Sequence, residues 1–221
     1  MSAGPRLPDG AGIDYLALGD SYTIGEGVAP EQRWPVQLAA DLRAQGLDVA
    51  APSIIATNGW TTDELSAAID AADAAGQLRS NYGLVTLGIG VNDQYRGRTL
   101  DSFTPAFRML LGRAIAFAGG DARCVLVPSI PDWGTTHYAI ASGRDRRAIA
   151  RDIDAYNVVS AAICAQRGVA WVDVTTLGRR EHNLGLLVDD GLHPSAPLYL
   201  QWVARIVPVV LARLGLATHR A

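Results

Sequence analysis

Four short strings stand along the chain in a fixed order: Gly19-Asp20-Ser21-Tyr22, Thr57-Asn58-Gly59-Trp60, Gly90-Val91-Asn92-Asp93 and Asp190-Gly191-Leu192-His193. Together they hold a serine, a backbone amide at a glycine, a carboxamide side chain and an aspartate–histidine pair. A serine hydroxyl is a poor nucleophile until a base takes its proton. His193 is the natural base, since imidazole is the side chain suited to proton exchange near neutral pH. A carboxylate bonded to Nδ1–H would hold that imidazole in the useful tautomer. Asp190, three residues earlier, can fold back one turn to reach it. Asp189 is adjacent and competes on residue type alone, as His182 competes for the base. Attack on an ester carbonyl builds negative charge on oxygen, which calls for preorganised donors. The N–H groups of Ser21 and Gly59 and the amide of Asn92 can supply them, and glycine at 59 permits close approach and a positive φ. This is equipment for acyl transfer through a serine.

Each string alone is a plausible turn, because Gly, Asp, Asn and Ser are the residues turns favour. What speaks against four unrelated turns is where they fall. Apolar runs of strand length alternate with helix-period stretches. The runs predict strands at Ile13–Leu18, Val49–Ile55, Leu84–Ile89, Arg123–Val127 and Val169–Val172, with helices at Pro35–Ala44, Thr62–Ala74, Pro105–Ala118, Arg146–Gln166 and Ala196–Leu214. Short, nearly all-apolar strands between helices imply a parallel sheet covered on both faces, a three-layer α/β/α sandwich. Five such units suit the flavodoxin-like order 2-1-3-4-5, whose ligands bind beyond the carboxyl ends of the strands near the order reversal. Ser21, Gly59 and Asn92 then follow strands 1, 2 and 3, which are neighbours. Strand 5 lies three positions from strand 1, ~14 Å at ~4.8 Å per strand. The segment Thr175–Ser195 reads as one long loop able to carry Asp190 and His193 back across that gap.

With the strings placed, the chain resembles the SGNH (GDSL-type) hydrolases: Gly-Asp-Ser near the start, then Gly59, Gly-x-Asn-Asp at 90–93 and Asp-x-x-His at 190–193. The resemblance implies a flavodoxin-like serine esterase, lipase, thioesterase or carbohydrate deacetylase. It implies Ser21 as nucleophile, Asp190 and His193 as the rest of the triad, and Ser21, Gly59 and Asn92 as the oxyanion hole. Tyr22 stands where the family's name-giving motif has Leu. Trp60, Trp133 and Leu192 are expected to wall the substrate pocket; Trp34, Trp171 and Trp202 are expected to be structural. His137 follows strand 4 and is a further candidate for the cleft.

Composition excludes several other classes. The 221 residues carry a formal charge of −3, which leaves no footprint for nucleic acid. All 19 basic residues are arginine, so neither a Schiff-base lysine nor a P-loop lysine is available. No GxSxG, GxGxxG or HExxH string occurs, and no cofactor or metal is expected. The Thr23–Gly27 loop is a weak phosphate cradle, since Glu26 would repel the anion; a flavin- or nucleotide-binding module, or a non-catalytic one on the same scaffold, is the rival class. Cys124 and Cys164 lie in apolar segments without a CxxC pairing and read as buried small hydrophobes. Residues 1–12 read as a flexible segment and 13–216 as one domain. No apolar h-region precedes the domain and no run reaches the ~20 residues of a membrane span. The chain as written is therefore expected to be cytoplasmic, with a secreted or periplasmic origin requiring a removed leader. The expected partner is a small acyl ester of short to medium length, handled by a monomer or small homo-oligomer with no membrane insertion.

Overall fold

The computed structural model describes residues 12–216; the segment expected to be flexible falls, but for residue 12, outside them. Five parallel strands form one sheet: β1 (Tyr15–Gly19), β2 (Ser53–Ala56), β3 (Leu84–Gly88), β4 (Val125–Pro128) and β5 (Ala170–Val172), in the order β2-β1-β3-β4-β5. This is the flavodoxin-like arrangement. The β1 strand is buried along its whole length, as a central strand covered on both faces must be.

The helices, in chain order, are α1 (Ser21–Ile24), α2 (Trp34–Ala44), α3 (Thr62–Ala74), α4 (Val91–Tyr95), α5 (Leu100–Phe117), α6 (His137–Ala141), α7 (Arg146–Gln166), α8 (Thr175–Gly178) and α9 (Ala196–Arg213). One layer pairs α2 with α9; on the other face α5 packs between α3 and α7. The core between them contains Leu16, Leu18, Trp34, Leu38, Phe103, Phe107, Tyr199 and Ile206. Cys124 and Cys164 are free and buried.

The second strand begins at Ser53 rather than Val49, which keeps only an isolated bridge to Ile13, and three further differences from the sequence reading have a local reason. The α5 helix starts at Leu100 rather than Pro105, because the Thr99 side chain caps it by accepting the Ser102 N–H. Phe103 and Phe107 then share a buried face. Arg123 is not in β4: the Asp121 carboxylate accepts the Arg123 N–H and turns Ala122–Cys124 into a 3₁₀ step. The expected loop Thr175–Ser195 is largely folded, containing α8, a 3₁₀ turn at Glu181–Asn183 and an antiparallel bridge between Leu187 and Pro194.

Strand register positions the site. Gly19 pairs with Ala56 on one side and Gly88 on the other, so the ends of β1, β2 and β3 lie level. The loops that leave them start from one sheet edge. Glycine is required at 19 because a Cβ there would lie 2.1 Å from Thr23 Oγ1 and 2.5 Å from the Gly88 carbonyl oxygen.

Candidate active site

Asp20 ends β1 in an extended conformation and caps α1, its Oδ1 accepting the Tyr22 N–H at 3.0 Å. Ser21 is therefore the first residue of a helical turn, a place where its side chain faces the edge of the sheet. Its Oγ lies 2.9 Å from His193 Nε2, and His193 Nδ1 lies 2.5 Å from Asp190 Oδ2. With a carboxylate at Nδ1, that nitrogen carries the proton and Nε2 is left to accept from the serine hydroxyl. The other Asp190 oxygen, Oδ1, accepts the N–H groups of Leu192 (2.8 Å) and His193 (3.0 Å). Three residues of spacing thus form a closed turn around the carboxylate.

Partial burial raises the Asp190 carboxyl, but the bonds from the His193 ring and the two N–H groups outweigh it and hold the acid below its ordinary range. His193 is 5% exposed. The Tyr22 ring leans on it at 5.2 Å between centroids, and Trp202 stacks behind Tyr22 at 6.2 Å. Tyr22 in place of the family's Leu therefore backs the imidazole with an aromatic wall. Asp20 itself is fully buried, which pushes its carboxyl up to about 7, against the Tyr22 N–H and with help from nearby Asp93.

The Ser21–His193 pair opens into a cleft of about 250 Å³ that Gly59, Asn92, Trp133 and Leu192 also line. Gly59 adopts φ +83°, a conformation that favours glycine. Asn92 gives one of its amide hydrogens to the Trp60 carbonyl at 2.9 Å, which orients the group and leaves the second hydrogen for another acceptor.

Of the residues expected to wall the pocket, Trp133 and Leu192 border the cleft and Trp60 does not. The Trp60 side chain packs half-buried against the core, and its contribution is the carbonyl that holds Asn92. Asp189 and His182 are exposed, and the hydrogen bonds of Ser21 Oγ and the His193 ring go to each other and to Asp190 instead. His137 is exposed, with its Cβ beside Gly191, and the next residue, Tyr138, lines the cleft instead.

Sequence reasoning missed the rest of the wall. Val91 and Tyr95 are both cleft residues, one helical turn apart on α4, and Arg96 follows them. The Tyr95 hydroxyl meets that of Tyr138 at 2.8 Å, and its ring meets Trp133 edge-on at 5.2 Å. Arg144 lays its guanidinium 4.3 Å over the Tyr95 ring. Gln94 fixes the back of this wall by accepting the Trp133 Nε1–H at 2.8 Å. The i, i+4 spacing of Val91 and Tyr95 was the one available signal.

The profile of the GDSL-like lipase/acylhydrolase family matches residues 17–200. The chain belongs to that family and is a serine-type ester hydrolase. No curated protein matches it by sequence. Solved structures share the fold at low identity. TesA is 22% identical over 91% of this chain and 99% of its own, with a TM-score of 0.67. A lipase/acylhydrolase from Enterococcus faecalis is 22% identical over 95% and 100%, with a TM-score of 0.66. The acetylxylan esterase Axe2 from Geobacillus stearothermophilus is 19% identical over 96% and 98%, with a TM-score of 0.68.

Proposed function

We propose that the protein hydrolyses short to medium acyl esters through an acyl-enzyme on Ser21. The observation that carries this reading is the unbroken chain from Asp190 through His193 to Ser21 Oγ, opening into a cleft that also presents Gly59 and Asn92. In this reading Ser21 Oγ attacks the carbonyl carbon as its proton passes to His193 Nε2, and Asp190 supports the resulting imidazolium. The carbonyl oxygen gains its negative charge beside the N–H groups of Ser21 and Gly59 and the free Asn92 amide hydrogen. Collapse expels the alcohol, which takes the proton back from His193. Water, activated by the same imidazole, then repeats the sequence on the acyl-serine and releases the acid.

A short acyl group is favoured by the size of the cleft and by its fixed aromatic wall. Trp133 is 2% exposed and held by Gln94. Among the described residues, no helix is long and apolar enough to cross a membrane. A second reading, an acylated carbohydrate, is favoured by the other end of the cleft. There Tyr95 and Arg96 lead into an open groove edged by Arg144, Asp145 and Asp152, aromatic and planar polar groups of the kind that bind hydroxyls.

The test has two arms. A fluorophosphonate should add one mass increment at Ser21 and none in Ser21→Ala. A panel of p-nitrophenyl esters from acetate to palmitate, with acetylated sugars and acyl-CoA alongside, should give the highest kcat/KM between acetate and hexanoate. Labelling elsewhere defeats the serine assignment. A maximum at palmitate, or turnover of acyl-CoA alone, would favour the lipase or thioesterase alternatives.

A further inference from the structure

Beside the reaction cleft lies a second hollow of about 20 Å³, which shares Tyr22, Trp133 and Leu192 with it. Its wall also includes Val174, Leu187 and Leu198, none of which lines the cleft. Polar side chains also border it, and four of them are already engaged within the protein. Asp132 accepts from the Gly134 N–H and from Arg179. The Thr135 hydroxyl donates to carbonyls of Asp132 or Gly178, and that of Thr136 to the Trp133 carbonyl. Asn183 is closed off by the Leu177 carbonyl and by Gln201. With these four satisfied, the hollow offers a guest chiefly apolar and aromatic contact, from Val174, Leu187 and Leu198 and from the rings of Tyr22, Trp133 and Trp202. At its present size it admits a single water- or methyl-sized group.

We infer that this hollow is the terminal subsite for a saturated acyl chain, and that the Leu192 side chain is the partition that limits how many carbons enter it. The inference rests on the ester-hydrolase reading above. Leu192 is placed for this role by the triad turn itself. Its N–H is bound to Asp190 Oδ1, so the partition is fixed relative to the acyl carbonyl being attacked. Its side chain is half-buried against the core, facing both spaces. Shortening the side chain joins the hollow to the cleft while leaving the backbone bond to Asp190 in place. Each methylene that then finds apolar contact should raise kcat/KM up to roughly fourfold.

The experiment measures kcat/KM for p-nitrophenyl acetate, butyrate, hexanoate and octanoate with wild type, Leu192→Ala, Leu192→Phe and the double variant Leu192→Ala/Leu187→Phe. Fluorophosphonate labelling of Ser21 and thermal melting accompany each protein. Leu192→Ala should raise the octanoate-to-acetate ratio by about tenfold or more. Leu192→Phe should lower the hexanoate-to-acetate ratio. Filling the hollow with Leu187→Phe, at a residue that lines the hollow and not the cleft, should cancel the gain of Leu192→Ala. An unchanged ratio in a folded, Ser21-labelled Leu192→Ala overturns the inference. So does a gain that survives Leu187→Phe, because it would come from a wider mouth. If Leu192→Ala does not fold, an unchanged profile in Leu192→Phe overturns it alone. A wild-type protein that labels at Ser21 and turns over acetate keeps the hydrolase reading intact in all these cases. Failure of both overturns that reading and the subsite with it.

Discussion

The loops that carry Gly59 and Asn92 are tied to each other by side chains, whereas the turn at 186–195 that carries Asp190 and His193 is tied chiefly to itself. On the first side, the buried Asp93 carboxylate accepts the Thr62 N–H at 3.0 Å and the Thr62 hydroxyl at 2.8 Å. Arg98 reaches both Asp63 (2.6 Å) and Asp93 (3.3 Å). Arg96 bonds the Gly59 carbonyl at 2.6 Å and Glu64 at 3.1 Å. With Asn92 held by Trp60, the two loops are braced many times over. On the second side, Val188 bonds the His193 carbonyl and Ser195 the Leu186 carbonyl, each at 2.9 Å. Its ties outward include the Tyr138 N–H to the Gly191 carbonyl at 3.0 Å and the His193–Ser21 contact. The Gly59 and Asn92 loops are thus braced redundantly to each other, while the Asp190–His193 turn, well bonded within itself, has fewer bonds to its surroundings. Single substitutions should accordingly be felt more sharply on the second side.

The largest effect should come from His193→Ala, with a loss on the order of 10⁶ in kcat, since triad members act as a unit. Retention of near-wild-type turnover would hand the role to His182. Asp190→Asn should follow at up to ~10⁴, by removing the group that sets the imidazole tautomer. Asp189→Asn should change kcat by no more than about twofold, because surface substitutions away from such features have little effect. A reversed order between the two aspartates moves the triad by one residue. Because the Asp190 carboxyl is held below its ordinary range, it stays charged in mild acid. Asp190→Asn, which cannot carry that charge, should therefore change the shape of the acid limb of the pH–rate profile. An acid limb identical in wild type and variant would contradict this.

On the braced side, Asn92→Ala should lower kcat by ~10²–10³ with little change in KM, the signature of a donor used in the transition state. A rise in KM alone would make Asn92 a binding or turn residue. The smallest effect on rate, and the clearest on stability, belongs to Asp20, which lies beneath both sides. Its folded carboxyl is pushed up to about 7 from an ordinary 3.8. Between about pH 4 and 7 the folded state keeps a proton that the unfolded chain has lost, so stability from this residue falls as pH rises through that window. Asn cannot ionise. The stability advantage of Asp20→Asn in denaturant unfolding should therefore grow from pH 4 to 7 and level off above it, reaching on the order of a few kcal/mol. A difference independent of pH would show that Asp20 is not protonated in the fold.

Much of this was legible in the sequence because it depends on apolar strand runs and on strings that follow them. The order β2-β1-β3-β4-β5 and the convergence of Ser21, Gly59 and Asn92 on one edge are of that kind. The cleft wall was harder, because Tyr95 and Tyr138 sit on α4 and α6, five-residue helices too short to show a period. Folding within Thr175–Ser195 was hidden for a related reason: its turns close through bonds three residues apart, such as Leu177 to the Val174 carbonyl and Gly191 to the Val188 carbonyl, which need no apolar pattern. Trp60 was misplaced because residue type cannot tell a Trp that walls a pocket from one packed on the core with a useful carbonyl.

The contact between Ser21 and His193 spans 172 positions of chain, and β1 lies inside the sheet with strands made later on both sides of that contact. Long-range pairings of this sort form late, after the intervening loop entropy has been overcome. During synthesis the serine leaves the ribosome early and stands without its base until residues beyond 193 have emerged and docked. Hydrolytic power in this protein is thus switched on by completion of its own folding, and reactivity of Ser21 toward a phosphonate can serve as a clock for the last step of assembly.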